Sequence, residues 1–135
     1  MSTFPLKIVT PDGLIFDGEV SSVTVKTVTG DVQILKGHAE YFSSLDCGRA
    51  RIADADGNVR YASTSGGFIS VEKGLVNIVF TTFEYAEDID LDRALRAKDR
   101  AQELIRSAKD DKALRIAKAK LARAASRIGV AEEYR

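Results

Sequence analysis

Glycine and proline, the residues that most readily interrupt a helix, are absent from residue 90 until Gly129. Alanine, leucine, lysine and arginine dominate that stretch, and all four are strong helix formers. Apolar positions Leu91, Ala94/Leu95, Ala101, Leu104/Ile105 and Ala108 recur at helical spacing. A second set runs Leu114, Ala117, Leu121, Ala124/Ala125 and Ile128. Between the two sets, Asp110-Asp111 supplies a polar turn and a negative charge suited to the start of the next helix. Two helices joined by so short a loop should fold back as an antiparallel hairpin.

The composition of the helical seam bears on what the hairpin can do. Each fully buried Leu or Ile contributes about 1.5–3 kcal/mol, whereas an alanine methyl contributes about 0.8 kcal/mol. An alanine-rich seam lets two helices approach closely while burying little surface. The hairpin is therefore expected to dock weakly, although its helices are intrinsically favourable. Such a part can leave its support and rearrange without melting.

Residues 1–85 read differently. Phe4-Pro5-Leu6-Lys7-Ile8-Val9 is bounded by the turn cluster Pro11-Asp12-Gly13. Val23-Thr24-Val25-Lys26-Thr27-Val28 alternates apolar and polar residues, the period of a half-buried strand. Asp56-Gly57 lies between Ala50–Ala53 and Val59–Ala62, and favours the positive backbone angles of a tight hairpin. Lys73-Gly74 makes a similar turn between Phe68–Val71 and Leu75–Phe80. Turns recurring every 8–12 residues without long helical segments indicate an all-β sandwich or barrel. The expected architecture is β followed by α: a sandwich of about ten strands over residues 1–86, then a two-helix hairpin over residues 87–135.

Charge divides the chain at nearly the same place. Residues 1–89 carry 7 Lys/Arg against 12 Asp/Glu, a net of −5, and residues 90–135 carry 13 against 8, a net of +5. A basic tail raises the question of nucleic acid. Asp92, Asp99, Glu103, Asp110 and Asp111 interrupt it, however, and its sole aromatic is Tyr134, so the basic stripe of a dedicated binder is missing. No apolar run approaches the roughly 20 residues of a membrane span. The start of the chain lacks a secretory pattern, and Cys47, the single cysteine, fits a reducing compartment as a small packing residue. One histidine and one cysteine cannot supply a standard zinc set. His38 has no accompanying serine or cysteine nucleophile motif, and there is no phosphate-binding Gly-x-x-x-x-Gly-Lys loop. Neither a catalytic nor a metal site is expected.

Gly37-His38-Ala39, following the strand Asp31–Leu35, resembles the Pro-Gly-His-Ala loop of ATP synthase epsilon subunits. Ser65-Gly66-Gly67-Phe68-Ile69-Ser70-Val71 resembles their second signature, a Ser-Gly-Gly followed by an apolar strand. Ile89-Asp90-Leu91-Asp92-Arg93-Ala94 and the alanine-rich tail continue the same order, so the likeness covers nearly the whole chain. Lys36 and Glu40 stand where the family commonly has proline, a departure that concerns loop geometry rather than fold.

The resemblance implies a non-catalytic rotor subunit of bacterial F-type ATP synthase. In that family the sandwich binds the gamma subunit and rests on the c-ring, coupling ion translocation to ATP synthesis. The hairpin lies folded on the sandwich or extends toward the alpha and beta subunits of the head, where it inhibits hydrolysis. Attachment to the cytoplasmic side of the plasma membrane would then be peripheral, through partners, and the isolated chain is expected to be monomeric. Asp31, with Gly37, His38 and Ala39, matches family positions at partner interfaces.

The resemblance also implies a regulatory ligand. Ile89-Asp90-x-x-Arg93-Ala94 matches the Ile/Leu-Asp-x-x-Arg-Ala motif with which some bacterial epsilon subunits bind ATP, with or without magnesium. Glu84, Arg100, Arg123 and Arg127 occupy the remaining matching positions. Arg123 and Arg127, four apart, share a helix face, as do Arg93 and Arg100, seven apart. In a folded hairpin these arginines would form a clamp on phosphates, while Glu84 and Asp90 would accept hydrogen bonds from base or ribose. The alternative reading of Asp88 or Asp90 is an ordinary helix cap.

Overall fold

The computed structural model describes residues 2–134; Met1 and Arg135, the outer limits of the two expected parts, lie outside the described residues. Seven strands come first: β1 (Phe4–Thr10), β2 (Gly13–Thr27), β3 (Gly30–Ile34), β4 (Tyr41–Leu45), β5 (Gly48–Asp54), β6 (Val59–Glu72) and β7 (Leu75–Tyr85). A single 3-10 turn, Ala86–Asp88, leads into α1 (Leu91–Ser107) and α2 (Asp111–Tyr134).

The count of seven corrects the expected ten, and the reason is physical. β2 and β6 are 15 and 14 residues long, and each serves different neighbours along its length. The first half of β2 pairs with β1, and its second half pairs with β5 and β3. A register shift between Val20 and Ser22 bends the strand there. The extra residue, Ser21, donates its hydroxyl to the carbonyls of Ala53 and Asp54 at 3.2 and 3.1 Å. β6 likewise pairs with β5 up to Thr64 and with β4 from Gly67, while β7 pairs along it from Ala62 to Glu72. Each long strand thus replaces two short ones.

The change of partner in β6 falls on Ser65-Gly66-Gly67. Gly67 has φ of 126°, and a Cβ placed there would lie 1.9 Å from the Val79 carbonyl oxygen. Only glycine fits such a close backbone approach. The Lys73-Gly74 turn has φ of 53° and 78°, the two positive values of a type I′ hairpin between β6 and β7. β1 joins β7 in parallel and β2 antiparallel, so β1, β2, β5, β6 and β7 close into a ring. Leu6, Ile8, Val20, Val23, Val25, Ile34, Ile69, Ile78 and Phe80 fill its interior, each almost wholly buried.

The helices follow from their caps. The Asp90 carboxylate accepts the Arg93 N–H at 3.0 Å and starts α1, and the Asp110 carboxylate accepts the Ala113 N–H at 2.7 Å before α2. The buried residues of α1 are Ala94 and Ala101; those of α2 are Ala117, Ala124, Val130 and Ala131. The seam is therefore alanine-built, with a seven-residue repeat on both helices.

The hairpin lies folded on the sandwich. Val130 and Ala131 of α2 form a small second core with Ala86 and Ile89, flanked by Tyr61, Leu91 and Tyr134. Polar contacts add to it. Ser126 donates to the Gly48 carbonyl at 3.0 Å and so receives a hydrogen bond from Ser63 at 2.8 Å. The Tyr134 ring stacks on Tyr61 with centroids 3.7 Å apart, and Arg49 donates to the Tyr134 hydroxyl.

Candidate functional site

α1 touches the sandwich little, because its buried face is spent on α2. A cleft is left between α1 and the end of β7. It encloses a cavity of about 510 Å³ lined by Thr82, Phe83 and Glu84 of β7 and by Asp12 of the β1–β2 turn. Asp90, Arg93, Ala94, Ala97 and Arg100 form the opposite wall, and Arg127 of α2 closes it. Six of the eight residues expected at a nucleotide site thus meet in one cavity: Glu84, Asp90, Arg93, Ala94, Arg100 and Arg127.

The other two are placed differently. Arg123 lines a neighbouring cavity of about 340 Å³, which shares Ala97, Arg100 and Arg127 with the first and so continues it. Ile89 points inward: it is 1% exposed and packs in the second core with Val130 and Ala131. Its side chain anchors the segment that carries Asp90. The sequence did not point to Asp12, Thr82 or Phe83. Their only sequence signal was proximity to Gly13 and Glu84, since nothing in a strand's own pattern shows which helix will cover its end.

The cleft is electrostatically polar. Asp12, Glu84 and Asp90 line the first cavity together with Arg93, Arg100 and Arg127, whereas the cavity that continues it, lined by Arg100, Arg123 and Arg127, holds no carboxylate. The ion pairs found among the described residues, Arg60–Glu87 and Arg106–Glu103, involve none of these arginines. Like charges brought together without a carboxylate partner repel, unless an anion is bound between them. Asp90 is engaged through one carboxylate oxygen as the helix cap, which leaves the other oxygen for a further partner.

The 3-10 turn at the base of the cleft is fixed from one side. Arg60 of β6 lies over the Tyr85 ring at 3.4 Å from its centroid and forms an ion pair with Glu87. That contact holds the Glu87 carboxyl below its usual range.

The residues expected at partner interfaces are spread out. Asp31 is exposed opposite Lys26 in the β2–β3 register and borders a groove beneath α2. Gly37, His38 and Ala39 lie past the other end of β3. There the His38 ring Nδ1 bonds the Ala39 carbonyl at 2.8 Å, and the ring meets Tyr41 edge-on. Cys47 borders the groove under α2, and burial raises its thiol pKa, with Asp46 adding to the shift. An inert packing thiol fits that environment. On the outer face of β4 and β6, Phe42 and Phe68 are exposed at 70% and 44% and pair with ring centroids 5.7 Å apart. No helix among the described residues is long and apolar enough to cross a membrane.

Comparison with known proteins joins the two parts. Residues 3–86 match the ATP synthase, Delta/Epsilon chain, beta-sandwich domain. Residues 87–132 match the ATP synthase, Delta/Epsilon chain, long alpha-helix domain. An ATP synthase epsilon chain of Bacillus velezensis is 40% identical over 131 residues, covering 97% of this chain and 98% of the relative. One from Ruminococcus albus is 34% identical over 134 residues, covering 98% and 99%. Among solved structures, a chain of the Euglena gracilis mitochondrial ATP synthase shares the fold with a TM-score of 0.80 at 23% identity, over 90% of this chain and 77% of that one. A chain from the Tetrahymena thermophila mitochondrial ATP synthase central stalk and c-ring aligns with a TM-score of 0.69 at 16% identity, over 94% and 95%. With both of its parts matched in order and close relatives aligned almost end to end, the chain belongs to the ATP synthase delta/epsilon chain family.

Proposed function

We propose that the chain is a non-catalytic central-stalk subunit of an F-type ATP synthase whose hairpin senses ATP and regulates hydrolysis by the head. The observation that carries the sensing role is the cleft, where unpaired arginines from both helices face carboxylates at the sandwich end. A nucleotide seated there would bridge α1, α2 and β7. It would favour the folded hairpin in proportion to its preference for that state. Glu84 and Asp90 would accept hydrogen bonds from base or ribose, and Arg93, Arg100, Arg123 and Arg127 would hold the phosphates. No nucleophile or base is needed for such a role, and ATP acts as ligand rather than substrate.

The remaining surfaces support a place in the rotor. The exposed Phe42–Phe68 pair offers an apolar face for the gamma subunit. The sandwich end, with Asp31 or the His38 loop, would rest on the c-ring, which makes attachment to the cytoplasmic side of the membrane peripheral. The basic hairpin, when extended, suits acidic surface on the alpha and beta subunits.

Calorimetry with ATP and magnesium on the isolated chain tests the ligand. Binding heat is expected, and Arg100→Ala should weaken it roughly tenfold to a hundredfold, the worth of one or two charge-assisted hydrogen bonds. Absence of heat at millimolar nucleotide would remove the sensing role. Co-purification with gamma, followed by ATPase assays with and without residues 88–135, tests the rest. Hydrolysis unchanged by that truncation would rule out inhibition.

A further inference from the structure

The second cavity contains one cation that no motif predicts. Lys120 lies with Arg100, Arg123 and Arg127 around the space that continues the cleft, beside Leu104 and Ala101. On α2, Lys120, Arg123 and Arg127 are spaced three and four apart, so they form one ridge facing α1. That ridge spans about 10 Å at 1.5 Å per residue. Because the helices are antiparallel, the ridge runs along the cleft in order. Arg127 stands nearest Asp90 and Glu84, Arg123 and Arg100 lie in the middle, and Lys120 lies at the far end beside Leu104.

This order sets the orientation of any nucleotide. The carboxylates, all in the first cavity, repel phosphate and accept hydroxyl or amino hydrogens, and the second cavity, with cations and no carboxylate, attracts phosphate. The base and ribose of a bound nucleotide would therefore sit by Glu84 and Asp90, with successive phosphates extending toward Lys120. No carboxylate is ion-paired with Lys120 among the described residues.

We propose that Lys120 reads the length of the phosphate chain, contacting the terminal phosphate of a nucleoside triphosphate and leaving shorter nucleotides untouched. The inference rests on the nucleotide reading of the cleft. It adds to that reading the basis on which ATP is told from ADP and AMP. Lysine suits this task as a compact point charge on a flexible stem, which can follow a terminal phosphate that a rigid fork would have to meet in one geometry. Because Lys120 is solvent-exposed, its contribution should be modest and salt-sensitive.

The test is calorimetric titration of the full chain with AMP, ADP and ATP in magnesium-free buffer, comparing the native protein with Lys120→Ala, Lys120→Arg and Lys120→Glu. Lys120→Ala should weaken ATP binding by about three- to tenfold, with ADP changing less and AMP unchanged. Lys120→Arg should retain most of the affinity, and Lys120→Glu should weaken ATP more than the alanine variant. The differences should shrink as salt is raised. Equal loss for all three nucleotides, or an ATP affinity unmoved by Lys120→Glu, would overturn the role of Lys120 while leaving the nucleotide site standing. If the native chain binds none of the three, the cleft is not a nucleotide site and the proposal falls with it.

Discussion

The sandwich and the hairpin are both built from well-formed secondary structure, but they are held together by different quantities of buried surface. The sandwich interior is made of Leu, Ile, Val and Phe side chains, nine of them almost fully buried. The hairpin seam is made of alanine at a seven-residue repeat, while Val130, the one larger buried side chain of α2, packs with Ala86 and Ile89 in the second core. Helical propensity maintains each helix, whereas docking depends on a small patch at the end of α2 and on a few polar contacts. The lesson is that stability of an element and stability of its position are separable. One part of the chain is fixed in both senses, and the other in only the first.

Four measurements bear on this contrast, in decreasing order of expected effect. Ile69→Ala removes a side chain at the centre of the sandwich and should cost about 2–5 kcal/mol in denaturant unfolding. A loss below 1 kcal/mol would mean that the sandwich core is far more pliable than its burial suggests. Ala124→Leu overpacks the helical seam and should cost about 1–3 kcal/mol, confined to the hairpin. Amide exchange would rise in α1 and α2 and stay slow in β6 and β7; acceleration of both regions together would show that they unfold as one unit.

Tyr134→Ala removes the ring stacked on Tyr61 and the acceptor for Arg49, weakening docking by about 0.5–1.5 kcal/mol beyond lost area. Faster exchange should appear in the last turns of α2. Equal protection in hairpin and sandwich, in the native chain, would contradict weak docking outright. The smallest effect concerns pH. Arg60 depresses the Glu87 carboxyl, so this pair stabilises the fold above the ordinary glutamate range near about pH 4.3 and is lost as pH falls through the lowered value. Both side chains are about half exposed, which limits the pair to roughly 0–1 kcal/mol. Glu87→Gln should flatten the acid limb of the stability curve slightly, and an unchanged curve would show that the Tyr85 contact alone holds Arg60.

Much of this contrast is legible in residue order. The absence of glycine and proline after residue 90, the alanine spacing, Asp110 and the Lys73-Gly74 turn each act locally, and local physics is what a sequence displays directly. The strand count was not legible, because one long strand bent at Ser21 or Gly66-Gly67 has the same alternation as two short ones. The cleft was half legible. Arg93, Arg100, Arg123 and Arg127 share faces set by helical periodicity alone, whereas Asp12, Thr82 and Phe83 reach the site only through tertiary packing. Ile89 shows the reverse case: it lies within a motif by sequence and within a core by structure.

The closed ring of β1, β2, β5, β6 and β7 has a mechanical meaning. A slit tube twists easily because its free edges slide past one another, while a closed tube must shear its whole wall. Here β1 supplies the closing seam, hydrogen-bonded to β2 on one side and to β7 on the other. A body so closed carries torque with little wind-up. In the rotor role proposed above, that stiffness would make the sandwich a coupling and leave the hairpin as the part free to act as a pawl.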